Sequence, residues 1–94
     1  MLPGRFQQAI DNNRKGRIVI VGEFLFKNGD FVNQVLSKIL IMKADNNFVN
    51  NSITYWGYSE HFDKVARFDE APLYNVIIHA VNGHLDTFQF KRAE

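Results

Sequence analysis

A chain of 94 residues, of which 46% are hydrophobic and 14% aromatic, is long enough for one domain with one core and too apolar to be intrinsically disordered. Its formal net charge of +1 argues against a dedicated nucleic-acid domain, which usually carries a marked basic excess. Because the chain has no cysteine, disulfides, thiolate zinc sites and thiol nucleophiles are excluded, and a reducing compartment is the expected environment.

The first predicted element is a short N-terminal helix. Its apolar stripe consists of Leu2, Phe6, Ala9 and Ile10. Pro3 suits the first turn of a helix, and the segment from Asn12 to Gly16 suits its end. The basic turn that follows, Arg14–Arg17, is either a solvated loop or a contact for a phosphate or an acidic partner.

A strand is predicted from Arg17 to Phe26, and it should be central in the sheet because its residues are apolar on both faces. Gly22 indicates a bulge or a close backbone approach within this strand. Glu23 interrupts the apolar run. Its carboxylate belongs either to a site or to a sheet margin beside Arg17 or a lysine. We favour the margin, because a buried acid needs a partner.

Two structures compete for the next segment, residues 27–42. Asn28 and Gly29 are typical of a hairpin turn, which would pair Phe26 with Phe31. A helical stripe is also present, with Asp30 as a cap. It consists of Phe31, Val32, Val35, Leu36, Ile39 and Leu40. We favour the extended alternative, because residues 39–42 also have the composition of a strand.

The middle of the chain predicts one strand and one short helix. A turn over 44–47 precedes a strand that includes residues 53–56, and Ser59 caps a helix over 60–67. The residues of this helix that should face inward are Phe62, Val65 and Ala66. A loop over 69–72 then leads into the last predicted elements.

Those last elements are the two strands of a β-hairpin closed by Asn82 and Gly83. Residues 74–81 are rich in β-branched and aromatic residues, and residues 84–91 alternate between apolar and polar. Asn-Gly between two such segments is typical of a type I′ turn, which needs positive φ at both central positions. The two-residue turn sets a register in which these residues face each other: Val81 and His84, Ala80 and Leu85, His79 and Asp86, Ile78 and Thr87, Ile77 and Phe88. The first strand should be interior, and Lys91 and Arg92 mark the second as an edge strand.

The strongest cluster of chemically active side chains is His79, His84 and Asp86. In this register all three project from one face near the hairpin tip, where the Cβ atoms of opposite residues are about 5 Å apart. Two imidazoles and a carboxylate suit zinc or non-haem iron(II). The alternative is a cross-strand hydrogen bond between His79 and Asp86. Because a hairpin tip gives little support to metal ligands, we predict no metal and no other cofactor.

A second candidate site is aromatic and charged. Its predicted binding residues are Trp56, Tyr58, Glu60, His61 and Arg67. Tyrosine, tryptophan and arginine are the usual anchors of protein interfaces, and aromatic rings can also stack on a base or nucleotide. The alternative for Trp56 is a place in the core under the short helix, because large aromatics dominate small cores.

The segment Tyr55–Phe62, followed by Val65 and then Pro72–Tyr74, resembles a strand–helix–strand pattern in small, uncharacterised bacteriophage accessory proteins. The resemblance covers about the C-terminal half of the chain and rests on aromatics, one glycine and one serine. It implies a small phage-type accessory protein that acts by binding a host factor, and it assigns no functional residue.

Motifs for catalysis and phosphate binding are absent from the sequence. No serine lies in a G-x-S-x-G context, and there is no G-x-G-x-x-G loop or Walker-type lysine. No apolar stretch approaches the length of a membrane span, and the first residues lack the apolar core of a signal peptide. We therefore expect a cytoplasmic location and predict no catalytic residue.

The predicted fold is a single α+β domain over residues 1–94, an antiparallel sheet of four or five strands with one or two short helices. The predicted function is non-enzymatic binding to a host protein, as a small accessory, regulatory or inhibitory factor. The alternative is an oligomer that binds a small ligand or nucleotide, and a metal-dependent enzyme ranks third. Because one strand is apolar on both faces, we also expect a homo-oligomer, most simply a dimer.

Overall fold

The computed structural model describes residues 3–93, in which a five-stranded sheet is accompanied by three short helices. The helices are α1 (Gly4–Asp11), α2 (Gly22–Lys27) and α3 (Gly29–Leu36), and the strands are β1 (Lys15–Val21), β2 (Leu40–Asn47), β3 (Ser52–Tyr58), β4 (Leu73–Val81) and β5 (His84–Arg92). The strand order is β2-β3-β1-β4-β5. This arrangement confirms the α+β class and the predicted four or five strands, but residues 3–93 contain three helices instead of one or two. It also corrects the purely antiparallel sheet to a mixed one, because β1 and β4 run parallel.

The mixed sheet results from the irregular segment 59–72, where a helix was predicted over 60–67. Here Ser59 Oγ accepts a hydrogen bond from the His61 backbone N–H at 3.2 Å, which forms a local turn. Strand β3 ends beside Lys15, and β4 begins beside Arg17. Because both ends lie at the start of β1, the segment returns the chain at the same end of the sheet, and β4 runs in the direction of β1.

The side chains of the basic turn bind the backbone of segment 59–72. The turn was predicted to be either a solvated loop or a contact for a phosphate or an acidic partner, and its role in the structure differs from both. Arg14 Nη1 donates a hydrogen bond to the carbonyl of Phe62 at 2.8 Å, and Lys15 Nζ donates to the carbonyl of Arg67 at 3.1 Å. Asn13 Nδ2 donates to the carbonyl of Val65 at 2.8 Å. These bonds satisfy carbonyl groups that have no strand or helix partner, so the segment keeps one path without regular secondary structure.

The N-terminal helix is confirmed. Ala9 is buried, and Phe6 and Ile10 are half-buried. Leu2, the remaining member of the predicted stripe, lies outside the described residues. After Asn12, the chain leaves the helix at Asn13, whose φ of 51° lies in the left-handed region that asparagine tolerates.

Strand β1 is central, as predicted, but it ends at Val21 rather than at Phe26. The backbone N–H of Gly22 donates to the carbonyl of Asn51 at 2.7 Å, and a Cβ at Gly22 would lie only 2.8 Å from the Asn51 side chain. This close approach turns the chain into α2. Within α2, Glu23 pairs with Lys27 at 2.8 Å.

Helix α3 forms where the extended alternative was favoured, so that prediction is wrong. Phe31, Val32 and Val35 project from one side of the helix and are buried. This burial decides between the two patterns, because a hairpin would alternate these residues between two faces. The strand over 39–42 is confirmed in part by β2. The predicted turn over 44–47 is wrong, because β2 continues to Asn47.

The core lies on one face of the sheet, under α2, α3 and segment 59–72. Its buried residues are Ile18, Ile20, Phe31, Val32, Val35, Ile39, Phe62 and Tyr74. Phe62 stacks on Tyr74 with ring centroids 4.4 Å apart and meets Phe90 edge-on at 5.4 Å. The opposite face of β1 remains exposed at Val19 and Val21, so the expectation of burial on both faces is wrong.

The C-terminal hairpin is confirmed, with β4 interior and β5 at the edge. Asn82 and Gly83 have φ values of 52° and 79°, as a type I′ turn requires. The first two predicted pairs are also confirmed: Val81 with His84, and Ala80 with Leu85.

Beyond these pairs a β-bulge changes the register of the hairpin. Asp86 has no opposite residue, so Phe88 faces Ile78 and Phe90 faces Val76. The predicted register would have placed both phenylalanines on the face opposite to Ile78 and Val76. The bulge instead turns their rings toward the core, and burial of these rings favours the shifted register.

Candidate functional site

The bulge separates the predicted metal ligands. His79 faces Thr87 instead of Asp86, which is the extra residue of the bulge, and His84 faces Val81. Neither the predicted convergence of the three side chains nor the cross-strand pair of His79 with Asp86 is present. Among residues 3–93, no three His, Asp or Glu side chains lie close enough together to hold a metal ion.

Trp56 lies on the face of the sheet opposite to the core. Arg17 is its neighbour on β1, and Lys43 on β2 places its Nζ 4.7 Å from the centre of the indole ring. This is a cation–π contact. The interpretation of Trp56 as core beneath a short helix is wrong, because that helix does not form and the indole is half-buried outside the core cluster.

The other predicted binding residues divide between two clefts. Tyr58 and Arg67 line a cleft beside α1. Glu60 and His61 line a second cleft, where the His61 ring lies 6.0 Å from that of Phe90. The structure therefore does not bring the five predicted residues together into one surface.

A different set of side chains is conspicuous by its exposure to solvent. The large apolar residues whose exposed fraction is 65% or more are Phe26, Met42, Phe48, Val49 and Phe68. Phe48 and Val49 are adjacent in sequence and form part of the turn between β2 and β3. Sequence reasoning missed this pair, although its position between asparagine pairs is a signal of an apolar loop tip.

Strand β2 contributes little to the core of the chain. Every residue from Ile41 to Asn47 is exposed, so neither face of the strand is covered. In the described sheet β2 lies at one end of the strand order, with β3 as its neighbour. One edge of its backbone therefore presents N–H and C=O groups to solvent.

Asparagines fix the turn that follows β2. Asn47 Oδ1 accepts a hydrogen bond from the Val49 backbone N–H at 3.1 Å, and Asn50 Oδ1 accepts one from Ser52 Oγ at 3.3 Å. Asn51 adopts a φ of 48°, and its carbonyl accepts the bond from Gly22 on α2. These hydrogen bonds stabilise the backbone of the turn before and after Phe48 and Val49.

We call Leu40–Asn47 together with residues 48–51 the hairpin surface. It combines an open strand edge with an apolar tip, and two of its exposed side chains, Lys43 and Asp45, form an ion pair at 3.3 Å. Backbone groups of an open edge recognise another extended chain, and an apolar tip fits an apolar pocket. These features suit recognition of a protein, and none of them supplies a nucleophile held beside a general base.

Comparison with known proteins adds no relative. No family model matches the chain, and no match is found among curated proteins or solved structures.

In residues 3–93 no helix combines the length and the hydropathy needed to cross a membrane. The strand–helix–strand resemblance also loses its helix, since residues 60–67 form turns and irregular structure.

Proposed function

We propose that the chain is a non-enzymatic binding protein, a small accessory, regulatory or inhibitory factor that acts on a second protein through the hairpin surface. The main support is the exposure of two adjacent apolar side chains, Phe48 at 89% and Val49 at 98%, on a turn that its asparagines fix. Burial of such a side chain stabilises an association by about 1.5–3 kcal/mol. Because hydrogen bonds already stabilise the backbone of the turn, less backbone entropy is lost on binding than for a turn without them.

The partner we propose has an apolar pocket next to an extended segment. The pocket receives Phe48 and Val49, and the extended segment pairs with the open edge of β2. Main-chain hydrogen bonds at a strand edge supply affinity, and side-chain pockets supply specificity. We place this role in the cytoplasm, in keeping with a chain that has no cysteine. The phage-type origin and the host partner stay predictions of the sequence.

The same edge supports self-association. Two copies can pair β2 with β2 across a two-fold axis, which extends the sheet without a new element. The exposed side chains of Val19 and Val21 add apolar area for a second contact between the two copies. Light scattering at high micromolar concentration should give the mass of a dimer, and a monomer mass throughout would remove this part of the proposal.

The experiment for the main proposal is a paired measurement on Phe48→Ser combined with Val49→Ser. We expect this variant to keep the melting temperature of the wild type and to lose about 2 kcal/mol or more of affinity for proteins captured from the source-cell lysate. Phe26→Ser is the matched control, because Phe26 is 90% exposed but lies outside the hairpin surface.

Two further variants test the surface that the sequence predicted. If Tyr58→Ala and Arg67→Ala lose the captured protein while the hairpin variant retains it, the partner binds beside α1 and the hairpin proposal is wrong. Capture that is unchanged in all of these variants excludes both surfaces.

A further inference from the structure

Strands β1 and β4 are paired over a short distance. Their parallel ladder contains two pairs, Arg17 with Leu73 and Ile18 with Tyr74. Next to these pairs, the backbone N–H of Arg17 donates to the carbonyl of Pro72 at 2.9 Å. Both strands continue past this point, β1 to Val21 and β4 to Val81, so the two strands separate and the middle of the sheet is split.

A cavity of about 350 Å³ occupies this split. Residues 19–21 form one wall, and residues 73–76 with Ile78 form the other. Its floor is made by Phe24 of α2 and by Val32 and Val35 of α3. Val32 and Val35 are among the most deeply buried residues of the chain, so the cavity reaches from the open face of the sheet to the core helices.

Both walls present backbone groups to the cavity. In a strand, the N–H and C=O of alternate residues point to the same neighbour. Because Arg17 bonds toward β4, Val19 and Val21 direct their backbone groups to the same side, where the ladder has ended. By the same alternation the backbone N–H and C=O groups of Val76 and Ile78 point from the other wall toward β1. The split therefore offers hydrogen-bond donors and acceptors inside an apolar slot.

Charge is absent from the lining, which contains no Lys, Arg, His, Asp or Glu. Its polar side chains are Tyr74, whose hydroxyl accepts a hydrogen bond from the Asp63 backbone N–H at 2.7 Å, and Asn75. A buried charge without a partner costs far more free energy than a neutral group that finds a hydrogen bond. The lining thus disfavours an anion such as a nucleotide phosphate.

We propose that the split between β1 and β4 is a binding site for a small, neutral and largely apolar molecule with a polar group at its rim. The cavity lies at the small end of the range for ligand sites, and such sites combine apolar walls with a few hydrogen-bonding groups. This site is independent of the hairpin surface, which contributes none of its lining residues.

The test uses 1-aminoanthracene, a neutral fluorescent probe, and anthracene-1-carboxylate, which has the same ring system and a negative charge. We expect saturable one-to-one binding of the amine to the wild type. Binding of the carboxylate should be weaker by about tenfold or more, because the lining offers its charge no Lys, Arg or His. In an amide NMR spectrum the amine should shift residues 19–21 and 75–78, and leave residues 48–51 in place.

Two valines give matched variants for the fluorescence titration. Val21 lines the cavity and Val81 does not, and each is 53% exposed on the same face of the sheet. Val21→Trp should weaken binding of the amine by about tenfold or more, because an indole fills the opening. Val81→Trp should bind as the wild type does.

Several results would overturn the site. They are absence of saturable binding to the wild type, equal loss in both tryptophan variants, unchanged binding in Val21→Trp, and amide shifts that lie outside the two walls. Melting temperatures identify a variant that fails to fold. In that case Val19→Trp replaces it, since Val19 lines the same wall, and unchanged binding there overturns the site equally.

Discussion

Two valines mark the contrast between the two regions of this molecule. Val35, on α3, is 2% exposed, and Val49, in the turn after β2, is 98% exposed. The first packs in a cluster shared by β1, β4 and the helices. The second belongs to a hairpin whose first strand is exposed on both faces. One region uses its apolar residues for folding, and the other leaves them available for association.

The difference shows that covering elements, and not residue type, decide what an apolar side chain does. The core face of the sheet is covered by α2, α3 and segment 59–72, which carries Phe62 into the cluster. Nothing in the described residues covers β2 beyond its pairing with β3.

The largest difference is expected between two phenylalanine truncations, one in the core and one in the turn after β2. Phe62→Ala should lower the free energy of unfolding by about 3–5 kcal/mol, because it removes a ring buried against Tyr74 and Phe90. Phe48→Ala should change it by less than about 0.5 kcal/mol, as surface substitutions do. Urea unfolding measures both, and similar losses in the two variants would erase the contrast between the regions.

A smaller effect is expected from methyl groups added at glycines. A Cβ at Gly57 would collide with the backbone carbonyl of Leu40, which cannot move without shifting β2, whereas a Cβ at Gly29 meets no atom within 4 Å. Gly57→Ala should therefore cost about 1–3 kcal/mol. Gly29→Ala should be neutral or slightly stabilising, because alanine favours the helix. Thermal unfolding compares the two, and a harmless Gly57→Ala would show that the β2–β3 contact adjusts freely.

The smallest effect concerns pH. Burial raises the pKa of the Tyr74 phenol above its ordinary value, since burial penalises the phenolate. As pH rises past about 10, the phenol loses its proton in the unfolded chain before it does so in the folded one. The free energy of unfolding is therefore unaffected by this group below that pH and decreases above it. In Tyr74→Phe, the free energy of unfolding should therefore decrease less steeply above pH 10 than in the wild type. Stability curves of equal slope above pH 10 in the wild type and the variant would contradict the assignment.

Local signals allowed some parts of the fold to be predicted from sequence. Asn82 and Gly83 fix a turn by their own backbone preferences. The apolar composition of β1 predicts its central position correctly, although only one of its faces is buried. The bulge at Asp86 could not be predicted, because it depends on the burial of Phe88 and Phe90 against elements distant in sequence. The bulge decides the fate of the candidate metal cluster, because the extra residue places Thr87 instead of Asp86 opposite His79.

Long-range contacts also explain the other differences. Residues 60–67 have a helical pattern, yet side chains of the basic turn bind the backbone carbonyls of Phe62 and Arg67 and hold an irregular path. Residues 29–36 fit two patterns, and only the position of the sheet selects the helix. The asparagine pairs around Phe48 and Val49 indicate a turn, but the exposure of the two side chains follows from the lack of a covering element, which the local sequence does not show.

The most direct test of the contrast between the regions is site-specific photo-crosslinking. The photoreactive amino acid p-benzoylphenylalanine would replace Phe48 in one protein and Phe26 in another, two positions of nearly equal exposure. Both proteins would be irradiated in source-cell lysate. We predict a light-dependent adduct with a second protein chain at position 48 and not at position 26. Equal adducts at both positions, or an adduct at position 26 alone, would contradict the assignment of the hairpin surface as the binding region.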